Sequence, residues 1–159
     1  MPTLKKSMPR KDSGNSTPLE KFEAMGFKTL EPPEEGKMPK MVNKFSGNST
    51  TAIGDLMAKY AAWREYAEDQ HERETGKYVM MNERYENLFD QHMIATEGRN
   101  ITEKKTVVRA IPELKALRKN LTEQEILVSL LSTRVESLNN SIAVISREIT
   151  RRGQNNDPR

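Results

Sequence analysis

The sequence predicts an all-α fold: a long helical hairpin with a heptad-patterned second helix, a disordered N-terminal arm, and assembly of several copies into an oligomeric bundle. Three observations carry this expectation. First, Leu114, Leu117, Leu121, Gln124, Val128, Leu131, Val135, Leu138, Ile142, Ile145 and Ile149 follow one another in alternating steps of three and four, with no glycine or proline from Glu113 to Arg152. That is an a/d seam sustained over more than five heptads, about as strong a helical signal as a sequence carries. Second, Ile53, Leu56, Tyr60, Trp63 and Ala67, then Tyr78, Met81, Tyr85, Leu88 and His92, mark a helical face upstream. Third, six of the eight prolines and four of the eight glycines fall within residues 1–50. A chain so interrupted buries too little apolar surface to offset its ordering entropy.

Composition agrees with long, half-exposed elements. Apolar residues make up 35% of the 159-residue chain and charged residues 31%, against typical values of about 45–50% and about 25%. The net charge of +3 is unevenly spread: residues 1–50 carry +3, residues 51–100 carry −4 and residues 101–159 carry +4. Basic ends around an acidic middle permit an anionic partner.

Taken in order, residues 1–48 read as a flexible Pro/Gly-rich arm with one short helix over 18–25. Thr17 stands at its N-cap, Pro18 at the first helical position, Glu20 completes a capping box and Gly26 supplies the stop. Leu19, Phe22 and Met25 then share a face. The pentapeptide Ser13-Gly14-Asn15-Ser16-Thr17 recurs as Ser46-Gly47-Asn48-Ser49-Thr50. Each copy precedes a helical pattern, so capping chemistry explains both.

The hairpin is expected over 49–152, with helices over about 51–97 and 112–152. Within the first, the stretch 68–77 has no large apolar residue and ends near Gly76; one helix, kinked or straight, is expected to pass through it. Gly98-Arg99-Asn100 reads as a stop and opens a connection, in which 102–109 reads either as extended, from its β-branched residues, or as holding a short helix capped by Thr106. Pro112 suits the first turn of the second helix, and Gly153 is expected to end it before a disordered tail, 153–159.

Around Ile126-Leu127-Val128 and Leu130-Leu131 the apolar band is wider than a seam, and it widens again at Ala143-Val144-Ile145. A broad band implies more than one neighbouring helix. The flanking positions Ser132, Asn139, Ser141 and Ser146 lack opposed charges. The sequence therefore points to self-association through Leu121, Val128, Leu131, Val135, Leu138, Ile142 and Ile145, with packing against the first helix alone as the open alternative. Gln124, the one polar seam residue, is a candidate for setting register.

Catalytic chemistry finds little support. There is no cysteine, which removes disulfides, thiolate metal sites and thiol nucleophiles. His71 and His92, the only histidines, lie about 30 Å apart on one continuous helix and cannot share a metal. No phosphate-binding glycine loop, nucleophile elbow or dinucleotide fingerprint occurs. The expectation is a non-enzyme with no catalytic residues, metal or cofactor. No apolar run approaches the roughly 18 residues of a membrane span. Residues 1–6 are basic without the apolar stretch of a secretory signal, so a cytoplasmic protein with no membrane partner is expected.

The remaining chemistry is basic. Arg99, Lys104, Lys105 and Arg109 cluster in the connection, and Lys115, Arg118 and Lys119 follow on the first turns of the second helix. Such a patch meets phosphates with a salt-dependent affinity. Aromatic residues for stacking bases are not interleaved with it along the chain.

The segment Lys104-Lys105-Thr106-Val107-Val108-Arg109-Ala110-Ile111-Pro112-Glu113-Leu114, with the ending Val144-Ile145-Ser146-Arg147-Glu148-Ile149-Thr150-Arg151-Arg152, resembles the UvsY-type recombination mediators of tailed bacteriophages. The resemblance covers about 51–152. It implies a non-enzymatic, ring-forming protein of the host cell cytoplasm that binds single-stranded DNA. Such a protein helps load a strand-exchange recombinase onto DNA coated by single-strand-binding protein. Lys104, Lys105 and Arg109 would then contact DNA and the heptad face would assemble. The arm departs from the pattern and is a candidate tether to recombinase or single-strand-binding protein. Two other readings stay open: a phage virion or assembly protein, and a coiled-coil adaptor without nucleic acid.

Overall fold

A computed structural model describes residues 17, 20, 23–26, 29–33, 37–42, 44–98 and 100–155. The fold is all-α: among the described residues there is no strand, and α1 (Thr50–Ala95), α2 (Ile101–Ala110) and α3 (Pro112–Asn155) follow in order. The chain divides into two units, Met1–Leu30 and Glu31–Arg159.

In the first unit the expected capping box is present. The Thr17 N–H donates to Glu20 Oε2 at 2.8 Å and the Glu20 N–H donates to Thr17 Oγ1 at 3.3 Å, so two end-of-helix donors are satisfied reciprocally. Glu23 and Ala24 are helical, and Gly26 closes the turn at φ 93° with its N–H on the Glu23 carbonyl. That left-handed backbone is one glycine adopts without steric cost. Pro18, Leu19 and Phe22 lie outside the described residues.

The second unit is an antiparallel pair of long helices. Ser49 caps α1, its hydroxyl accepting from the Ala52 N–H at 3.1 Å, which accounts for the second Ser-Gly-Asn-Ser-Thr copy. α1 runs unbroken through Gly76. Its buried residues, Ile53, Tyr60, Ala67 and Tyr85, belong to the expected face. On α3 every seam position is covered: Leu114, Leu121, Leu138 and Ile145 are buried, and Leu117, Gln124, Val128, Leu131, Val135, Ile142 and Ile149 are half-buried. Two clusters result. Ile53, Tyr60 and Ala67 meet Leu138 and Ile145 at the base, and Tyr85 meets Val108 and Leu114 at the tip.

This packing takes up the residues expected for self-association in the alternative that the sequence left open. The seam through Leu121, Val128, Leu131, Val135, Leu138, Ile142 and Ile145 closes on α1 of the same chain. Two facing apolar stripes on one short-linked chain bury each other at high effective concentration, and each fully buried Leu or Ile contributes about 1.5–3 kcal/mol. Gln124 contributes a cross-helix contact, donating from Nε2 to the Glu74 carbonyl at 2.9 Å and to Glu74 Oε2 at 2.7 Å.

Three boundaries also differ from expectation. The connection contains a helix, α2, because Asn100 caps it by accepting from the Glu103 N–H at 2.8 Å and because Val108 is fully buried under the tip. α2 and α3 are separated by Ile111 alone, with φ −59° and ψ 127°, the extended geometry that a following proline imposes. α3 continues through Gly153 to Asn155; a glycine costs a helix about 1 kcal/mol but stops it only where the backbone turns left-handed. Finally, residues 37–42 and 44–49 are not a free arm. Met38, Met41 and Phe45 pack on the base cluster, the Tyr60 hydroxyl donates to the Pro39 carbonyl at 3.0 Å, and Arg152 donates to the Phe45 and Asn48 carbonyls. Burial raises the Tyr60 phenol above its ordinary value, and a hydrogen bond with Ser141 offsets part of that. Three large apolar side chains at steps of three and four give this stretch enough surface to dock despite its prolines.

Candidate nucleic-acid interface

The tip of the hairpin is built by three backbone signals acting together. Asn100 starts α2, Pro112 forces the bend at Ile111, and buried Val108 and Leu114 hold α2 and the first turns of α3 against α1. Arg109 at the end of α2 and Lys115 and Arg118 on α3 thereby line one cleft with Tyr85, Glu86 and Phe89 of α1. The cleft has a volume of about 530 Å³. Its three cations face one carboxylate, so its field is positive.

Its wall is aromatic. The Tyr85 and Phe89 rings stack at 6.0 Å with an interplanar angle of 27°, and the Arg118 guanidinium lies 5.8 Å from the Tyr85 centroid. The quadrupole of a tyrosine face attracts a cation at that distance, which holds the long Arg118 side chain over the cleft. Tyr85 is buried and Phe89 half-buried, so Phe89 offers the more accessible ring. On the other side of the tip, Met80, Glu83, Arg84, Asn87, Leu88, Gln91 and Glu113 line a shallower groove with two acids and one base. The positive surface is therefore one-sided.

The remaining basic candidates are placed differently. Arg99 lies outside the described residues. Lys104 is half-buried and its Cγ lies against Gly98, where a β-carbon would come within 2.8 Å of it. Lys105 is exposed one turn before Arg109, on the same face of α2. Lys119 is exposed and pairs with Glu123 at 3.7 Å along α3, outside the cleft lining.

Tyr85 and Phe89 do not stand out as site residues along the chain, because the nearest cleft cation is 20 residues downstream of Phe89. Their signal lies in register: an antiparallel hairpin that pairs Glu74 with Gln124 brings Tyr85 opposite Leu114, where Arg118 one turn further along reaches its ring. The two histidines stay apart on α1, and among the described residues no group of His, Asp or Glu is arranged to hold a metal ion. No described helix is long and apolar enough to cross a membrane. Set against known proteins, the chain matches no family model, no curated protein and no solved structure.

Proposed function

We propose that this is a non-enzymatic, oligomeric helical protein that binds single-stranded DNA at the hairpin tip and helps load a recombinase onto it. The single observation that carries the reading is the convergence of Arg109, Lys115 and Arg118 on a cleft walled by Tyr85 and Phe89. Cations track a phosphate backbone, and an aromatic edge gives an unstacked base an apolar surface. A duplex hides its base faces, so the aromatic wall favours single strands. The likeness of 104–114 to UvsY-type mediators supports the same ligand. The proline-rich arm, residues 1–48, of which Met38, Met41 and Phe45 pack on the hairpin base, serves in this reading as a tether to the recombinase or to single-strand-binding protein.

The test is fluorescence anisotropy of labelled single- and double-stranded oligonucleotides across a salt series. The wild-type chain is expected to prefer single strands and to weaken as salt rises. Lys115→Glu with Arg118→Glu is expected to weaken binding by about tenfold or more and to flatten the log–log salt slope by about 0.7 for each phosphate no longer neutralised. No binding even at low salt overturns the reading and leaves the virion or adaptor role in its place.

A further inference from the structure

The middle of the hairpin is built unlike its ends. Among the described residues, none is fully buried between Ala67 and Tyr85 on α1 or between Leu121 and Leu138 on α3. At this waist α1 supplies polar groups such as Glu74 and its partners Lys77 and Arg73, whereas α3 is at its most apolar. Ile126 is 54% exposed, Leu127 41% and Leu130 64%. With Glu123 and Arg134 they occupy steps of three, four and seven or eight, which is one outward stripe of α3. Glu123 and Arg134 are themselves exposed and bracket Leu127 and Leu130 symmetrically, each four residues from the nearer leucine.

We infer that this stripe, and not the heptad seam, is where a second copy of the chain docks, with the two α3 helices antiparallel. A two-fold axis between Val128 and Ser129 sets Leu127 of each copy against Leu130 of the other. It also sets Glu123 of each copy against Arg134 of the other, so the ion pair forms twice. The parallel arrangement would oppose Glu123 to Glu123 and Arg134 to Arg134, and like charges across an interface disfavour it. Within its own chain Arg134 reaches no carboxylate among the described residues; its guanidinium contacts the Met38 sulfur at 3.9 Å. Glu123 has Lys119 one turn away at 3.7 Å, both solvent-exposed, a pairing weak enough to be exchanged. The charge complementarity and the symmetry of the stripe thus both name the chain itself as the occupant. This deepens the oligomeric part of the proposed function and does not depend on its DNA part.

The absence of cysteine makes the arrangement directly readable. Glu123→Cys and Arg134→Cys chains, prepared separately and then mixed, are treated with a short bismaleimide. The antiparallel pairing gives a covalent dimer in the mixture and little in either chain alone. Self-linked Glu123→Cys dimers forming as readily as mixed ones overturn it. Leu130→Glu is expected to reduce the mass by light scattering to one chain, 18.2 kDa, with helicity by circular dichroism unchanged because Leu130 lies outside the core. A wild-type chain that binds single strands yet stays monomeric at every concentration overturns this inference together with the oligomeric part of the proposed function, and leaves the DNA part standing. One that assembles through this stripe but binds no DNA supports it and overturns the DNA reading alone.

Discussion

Arg152 fastens the end of α3 to the turn ahead of α1. Its Nε donates to Glu148 Oε1 at 2.7 Å, and its two terminal nitrogens donate to the Asn48 and Phe45 carbonyls at 2.6 Å each. Those carbonyls belong to the turn ahead of α1, so the guanidinium fork both satisfies them and pins residues 45–48 to the end of α3. Arg152→Ala should lower stability by about 1.5–3 kcal/mol in urea denaturation, the range for hydrogen bonds to a charged group, and should speed amide exchange over 45–49. Arg152→Lys should recover little, since an ammonium cannot span both carbonyls. The hydrogen bonds from Arg151 and Arg152 hold the Glu148 carboxyl down to about 2. Its folded value lies below its ordinary one, so this contribution is complete above about pH 4.5 and is lost as pH falls towards 2. Glu148→Gln should flatten that part of the acid-unfolding curve. Glu74 behaves alike in direction: burial works to raise it, but hydrogen bonds from Lys77 and Gln124 and the charges of Lys77 and Arg73 outweigh that and lower it.

Among the helices, α1 loses backbone entropy at Gly76 with no contact to offset it. A β-carbon there would meet nothing within 4 Å, and the residue is exposed in mid-helix. Gly76→Ala should therefore raise stability by roughly 0.5–1 kcal/mol, measured by chemical denaturation. A fall in stability would mean that the helix bends at this point. α3 is legible in the sequence because its heptad period persists throughout, and α1 because two runs on a helical face flank a polar stretch without proline, with Ser49 and Pro112 marking their starts. α2 is not, since Val107 and Val108 are β-branched and Gly98 suggests an open loop; the burial of Val108 under the tip decides for helix, and only tertiary packing supplies it. The docking of residues 37–42 and 44–49 is hidden for a related reason. Their prolines are plain in the sequence, but the groove that takes Met38, Met41 and Phe45 exists only once α1 and α3 have paired.

Over the hairpin as a whole, two buried apolar clusters flank a waist that is polar on α1 and apolar on the outer face of α3. The base is held by Ile53, Tyr60 and Ile145 together with the docked stretches 37–42 and 44–49; the tip is held by Tyr85, Val108 and Leu114. Each unfinished surface then has a separate proposed use, the waist for a second copy and the tip cleft for a nucleic acid. The cations of the cleft are readable from the sequence as a cluster, but Phe89 and Tyr85 are not, because their place beside Arg118 depends on the register of the closed hairpin. That closure is what turns a scattered basic segment into a site with an aromatic wall. The most direct measurement is therefore photocrosslinking of an iodouracil-substituted single strand, with the adducts mapped by mass spectrometry. A single strand held in the tip cleft should give an adduct on the 85–92 stretch of α1, at Phe89 before Tyr85, that disappears with Lys115→Glu and Arg118→Glu. Adducts confined to other parts of the chain, or an α1 adduct indifferent to those two substitutions, would contradict binding at the cleft.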